Sequence, residues 1–164
     1  MDEIDIRIRV ATIEDLELIF AFISQKAEFD GCKSAFKATV DKLRQTLFCQ
    51  PPQAKVLFAE IDEIAVGFAL FFYKYSSFLA QPSIWVDDLF VQPQMRGKGI
   101  GTALMKRLTQ IAEKTNCGRI EWTVALSNQP GIAFYKKQGA TILDTVKLCR
   151  LEPTSMSQLA GKQP

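Results

Sequence analysis

The sequence predicts an α/β protein built on one mixed β-sheet with helices on both faces. Three observations carry this prediction. Hydrophobic periodicity gives the element order β-α-α-β-β-β-α-β-α-β, in which strands share a sheet and helices pack against it. Residues 84–124 read strand, helix, strand, the one clear parallel βαβ unit of the chain. Between its first strand and its helix lies a turn, Pro93 to Gly101, with three glycines in its last five residues. It falls at the carboxyl end of the strand, where such sheets bind their ligands.

Each element has its own signal. Residues 4–10 alternate apolar and charged, the period of a half-buried strand. Thr12-x-x-Asp15 resembles a capping box and opens a helix whose apolar face is Ile13, Leu16, Ile19, Phe20 and Ile23. The chain turns after Glu28-Phe-Asp-Gly31, and a second helix is expected over about 38–48, stopped by Pro51-Pro52. Residues 55–61 and 64–75 read as antiparallel strands joined at Asp62-Glu63, and 76–82 as a loop. A strand over 84–91 leads into the glycine turn and a helix to about Lys114, closed by Asn116-Cys-Gly118. A strand over 119–124, a short helix over 130–138 and one or two strands over 140–151 follow. From Glu152 the composition is that of turns. A single domain over 1–152 with a flexible tail over 153–164 is the expected organisation.

Composition removes several function classes. The 164 residues carry a net charge of only +2, and Lys and Arg are scattered without a basic stripe, which argues against nucleic acid as a partner. The longest apolar run, residues 64–73, is too short to span a bilayer, and the chain opens without the features of a secretory signal. Four widely spaced cysteines without a C-x-x-C fit reduced thiols in the cytoplasm. There is no histidine, which excludes Ser-His-Asp and Cys-His nucleophilic systems and the H-E-x-x-H zinc site. No metal is expected, and carboxylates and tyrosines must carry any acid–base work.

The glycine turn is the strongest functional signal. A Gly-rich turn at a helix start presents several backbone N–H groups in one direction at the positive end of the helix dipole, a site for phosphate or pyrophosphate. Two familiar phosphate loops do not fit. No Gly-Lys-Ser/Thr is present, and a G-x-G-x-x-G reading places Thr102 or Leu104 where the last glycine belongs. What remains is Arg-x-x-Gly-x-Gly at Arg96, Gly99 and Gly101, with Arg96 and Lys98 adding positive charge.

That motif resembles the acetyl-CoA pyrophosphate loop of the GNAT N-acetyltransferase superfamily. Asn128-Gln-Pro-Gly-Ile-Ala-Phe-Tyr135-Lys-Lys-Gln-Gly-Ala140 looks like the second motif of that family. Together with Trp85-Val-Asp-Asp-Leu-Phe-Val91, it looks closest to the spermidine/spermine (diamine) acetyltransferases. The resemblance implies a mostly antiparallel central sheet with one splayed parallel pair, acetyl-CoA as co-substrate and a homodimer. By resemblance, the pyrophosphate lies on Gly97, Lys98, Gly99, Ile100, Gly101 and Thr102, flanked by Arg96. The pantetheine arm lies along Leu89, Phe90 and Val91, and Asn128 bonds it or caps its own helix. Tyr135 protonates the departing thiolate, and Asp87 replaces a glutamate implicated as base, most readily through a water because aspartate is shorter.

Asp87 and Asp88 also stand out without the resemblance. They interrupt an apolar strand, where unpaired carboxylates are expensive to bury. Adjacent strand residues face opposite sides, so only one should line a given cleft unless a bulge intervenes. Both are either satisfied structurally or placed to bind and deprotonate a cationic substrate. Lys33 and Lys37 disfavour a long polycation, while Glu28, Asp30, Asp87 and Asp88 suffice for a small primary amine, a diamine or a lysine-like compound. A protein or peptide N-acetyltransferase and a non-catalytic CoA-binding module are the competing readings.

Overall fold

The computed structural model describes residues 4–161, and the chain forms two compact units, Met1–Thr123 and Val124–Pro164. In the first unit the strands are β1 (Arg7–Val10), β2 (Lys55–Ile61), β3 (Ile64–Ser76), β4 (Gln81–Val91) and β5 (Ile120–Glu121). Its helices are α1 (Leu16–Phe29), α2 (Val40–Leu47) and α3 (Ile100–Lys114). The sheet order is β1-β2-β3-β4-β5; the first four strands are antiparallel neighbours and β5 joins β4 in parallel. The predicted mixed, mostly antiparallel sheet is present.

Alternation along the strands divides the core into two layers. Leu16, Ile19 and Phe22 of α1 and Leu43 and Leu47 of α2 pack on Val56, Phe58, Phe68 and Phe90. The Phe22 ring lies 5.4 Å from Phe68 and 5.5 Å from Phe58, in tilted and edge-on contacts typical of aromatic cores. Leu57, Ala59 and Ala69 point to the opposite face and are equally buried, and α3 covers that face with Ile100, Leu104 and Leu108. Gly67 admits the start of α3. A Cβ there would stand 3.1 Å from the Phe90 carbonyl oxygen and 3.2 Å from Ile100 Cγ2.

The capping box at Thr12 forms as expected, with Asp15 Oδ2 accepting from the Thr12 N–H at 2.7 Å. It opens a short 3₁₀ turn, Ile13–Asp15, that continues into α1. Arg9 clamps the same carboxylate through both terminal nitrogens (2.6 and 2.8 Å), and its Nε donates to Glu60 at 2.5 Å. Hydrogen bonding from Arg9 holds the Asp15 carboxyl below the usual aspartate range, against the opposing effect of burial. Arg9→Ala should cost roughly 3 kcal/mol or more at neutral pH by urea unfolding, because it leaves the buried Glu60 without its cation. A carboxyl with a depressed folded pKa stabilises above its unfolded pKa and loses that contribution as pH falls through its folded value. The Asp15 part of the penalty should therefore shrink in acid.

The second unit holds α4 (Gln129–Lys137) and α5 (Pro153–Leu159). The expected strands over 140–151 do not form. Leu143, Val146, Leu148 and Leu151 are all exposed, and among the described residues no ladder supplies the hydrogen bonds that would hold a strand there. Pro153–Leu159, read as turn from its composition, is a short exposed helix with proline in the first turn, where its missing N–H costs nothing. Residues 162–164 of the expected tail lie outside the described residues. In the first unit, β4 begins earlier than predicted and shortens the 76–82 loop to four turn residues, while β5 is two residues long.

Candidate active site

The glycine turn is built as a helix start without a cap. A 3₁₀ turn, Pro93–Met95, ends at Arg96 in extended backbone; Gly97 then takes φ +77° and Gly99, the N-cap residue, φ +86°. No side chain caps this terminus, and the first turn of α3 contains no acidic residue. The helix opens with the Ala103 N–H bonded to the Gly99 carbonyl at 2.9 Å. The N–H groups of Ile100 and Gly101 precede that bond, at the positive end of a 15-residue helix. The arrangement fits a pyrophosphate chemically.

The strand leading into this turn is bulged at the two aspartates. β3 pairs Leu70 with Asp88 and Phe71 with Val86, so Asp87 is the extra residue on β4 and has no partner in the ladder. In an unbulged strand Asp87 and Asp88 would face opposite sides; here both line one pocket. On its other edge, β4 registers with β5 only at Ile84↔Ile120 and Trp85↔Glu121. From Val86 to Val91 the parallel ladder supplies no partner among the described residues, and the edge of the strand is opened beside the bulge.

The pocket, about 320 Å³, is closed on its far side by α1 and the segment after it. Ile23, Ala27 and Phe36 form its apolar wall, and Asp30, Asp87, Asp88 and Lys26 supply its charges. Lys26 pairs with Asp30 one helical turn along α1, and its ammonium lies 3.8 Å from Asp88 Oδ1. The Asp88 carboxyl is pushed up to about 6, chiefly by burial and in part by the neighbouring charges of Asp87 and Asp30, against the opposing pull of Lys26. Among the described residues no group of three or more His, Cys, Asp or Glu could hold a metal ion, and no helix is long and apolar enough to cross a membrane.

Comparison with known proteins decides the family. The model of the acetyltransferase (GNAT) family matches residues 23–140. The chain belongs to the GNAT acetyltransferase family. It is 31% identical to an L-ornithine N5-acetyltransferase of Arabidopsis thaliana, over 88% of this chain and 83% of that protein. It is 30% identical to a mouse (Mus musculus) thialysine N-epsilon-acetyltransferase, over 95% and 98%. Among solved structures, an integron cassette protein from the V. cholerae mobile metagenome superposes with a TM-score of 0.76 at 30% identity, covering 94% of this chain and 97% of that one.

Within this acetyltransferase the residues singled out from sequence fall into distinct places. Asp87 and Asp88 share the pocket, and Leu89, Phe90 and Val91 lead from it to the glycine turn. Arg96 is exposed and lies back along the surface: its Nε donates to the Val91 carbonyl at 3.0 Å and its guanidinium stacks 4.2 Å from the centre of the Phe29 ring. It thereby ties the turn to β4 and to the end of α1. Glu28 is not in the pocket; it is exposed and pairs with Lys33 at 3.6 Å. In the second unit Asn128 caps α4, accepting from the Gly131 N–H at 3.0 Å, so of its two expected roles the structure contains the cap. Tyr135 is half-buried, next to Phe134 with 5.1 Å between ring centres.

Sequence reasoning missed Lys26. The helix was read from its apolar face, and a lysine on the polar edge carries no signal alone. The available clue was Lys26-x-x-x-Asp30, an i,i+4 pair at the end of the helix that walls the pocket.

Proposed function

We propose that this protein transfers the acetyl group of acetyl-CoA to a primary amine of a small molecule, by direct attack within a ternary complex. The observation that carries this reading is the β4 bulge, which turns two adjacent carboxylates into one small pocket upstream of an uncapped, acid-free helix start. Acetyl-CoA supplies the activated acyl group, and the glycine turn from Gly97 to Thr102 is its pyrophosphate seat. The open edge from Leu89 to Val91 receives the pantetheine arm in the manner of an added strand. An alkylammonium has no lone pair, so Asp87, or a water it orients, takes the proton before attack. A backbone N–H freed near the bulge stabilises the charge that develops on the thioester oxygen. Tyr135 is the acid for the leaving thiolate.

The pocket, about 320 Å³ in volume, suits a molecule of amino-acid or diamine size. The relatives named for ornithine and thialysine support the same acceptor class. That the family model spans both compact units supports one catalytic domain over 1–152. A cytoplasmic homodimer, implied by the resemblance, completes the reading. The test is thiol release from acetyl-CoA across diamines, basic amino acids, arylamines and peptides. Turnover confined to small aliphatic amines is expected; turnover confined to peptides, or none above hydrolysis despite CoA binding, contradicts the proposal.

Two consequences follow from these assignments. Asp88 is ionised only above about 6, so kcat/KM for the amine should fall about tenfold per unit below that pH as the site loses its negative charge. Asp88→Asn should remove that limb of the pH profile. Tyr135→Phe should lower kcat by roughly 10²-fold with KM for the amine little changed, in steady-state assays at neutral pH.

A further inference from the structure

The acceptor pocket contains a cation of its own. Lys26, mostly withdrawn from solvent (19% of its side chain exposed), sits between Asp30 and Asp88 at the position an acceptor ammonium would otherwise take. For a purely cationic acceptor this is an obstacle, because each added ammonium meets a like charge and must compete with Lys26 for the same carboxylates. For an acceptor that also carries a carboxylate it is a binding group. A lysine ammonium has three donors, of which Asp30 occupies one, while Asp88 stands at ion-pair distance, 3.8 Å away. Asp30 is the more exposed partner, at 38%, and exchanges most easily for an incoming anion. Such an exchange leaves Asp30 to face an α-ammonium, while Asp87 and Asp88 keep the distal amine.

Resting on the small-amine reading above, we propose that Lys26 is the specificity-determining residue of the acceptor pocket. It binds the acceptor's α-carboxylate, and so selects basic amino acids over diamines of the same chain length. The four charges of the pocket then meet the three polar groups of the substrate: carboxylate on Lys26, α-ammonium on Asp30, reacting amine at Asp87 and Asp88. Cys32, which lines the same pocket, takes no part in this pairing.

The experiment compares kcat/KM for lysine against cadaverine and ornithine against putrescine, pairs that differ only in the α-carboxylate. Wild-type protein, Lys26→Met and Lys26→Arg are measured with acetyl-CoA in excess. The wild type should favour the amino acid of each pair. Lys26→Met should reduce that ratio at least about tenfold, the worth of one charge-assisted hydrogen bond, through KM of the amino acid. Lys26→Arg should restore much of it. A wild-type preference for the diamines would overturn the proposal, as would a Lys26→Met variant that loses both substrates by the same factor, since a merely structural lysine leaves the ratio untouched. Absence of turnover with all four amines would instead count against the small-amine reading itself.

Discussion

Asp87→Asn is expected to lower kcat by about 10²- to 10³-fold with little change in KM for the amine, whereas Asp88→Asn raises KM more than it lowers kcat. The difference follows from where the bulge puts each side chain. Asp87 is the unpaired residue of β4 and is exposed, free to orient a water against the incoming amine. Asp88 is half-buried, next to Lys26, and its carboxyl is held up to about 6 by burial. Removing Asp88 takes a charge from the binding site; removing Asp87 takes the proton acceptor. Steady-state kinetics of the two variants at pH 8, well above the Asp88 value of about 6, separate these outcomes. Equal effects of both substitutions on kcat alone would contradict the division of labour.

Gly99→Val should weaken CoA binding by about 10²-fold or more, measured by calorimetry. The cause is backbone geometry. The nearest atom to a Cβ at this position, Ile6 Cδ1, lies at 3.9 Å, so space is available. At φ +86°, however, a β-branched residue is strained by roughly 1–2 kcal/mol, and relief of that strain rotates the peptides that aim the first N–H groups of α3. The loss should appear in CoA affinity rather than in acceptor selectivity. Thermal unfolding of the variant, lowered only by the strain itself, separates a misdirected turn from a misfolded protein.

The parts of this protein that were legible in its sequence are those governed by short-range chemistry. The capping box at Thr12, the Asp62-Glu63 hairpin turn and the glycine turn each depend on a few adjacent residues, and each forms where expected. The apolar runs of residues 55–61 and 64–75 marked two paired strands, and both form. Two aspartates in succession within an apolar strand signalled an irregularity, but the bulge is a property of the β3–β4 register and became visible only with the partner strand. The pairing of Lys26 with Asp88 spans two elements far apart in sequence and gave no local sign. The apolar residues over 140–151 misled because hydrophobic content cannot reveal whether a ladder partner exists. Pro153 misled in the opposite direction, since proline marks a turn and a helix start equally well.

The central claim is that the bulged carboxylates and the glycine turn serve one reaction, transfer of an acetyl group to a small primary amine. Quantifying thiol release and acetylated amine in the same reaction tests it most directly, with lysine or cadaverine as acceptor. One acetylated primary amine formed for each thiol released, with both falling together in Asp87→Asn, is the predicted result. Thiol release that proceeds at the same rate with and without amine, leaving the amine unmodified, would contradict it.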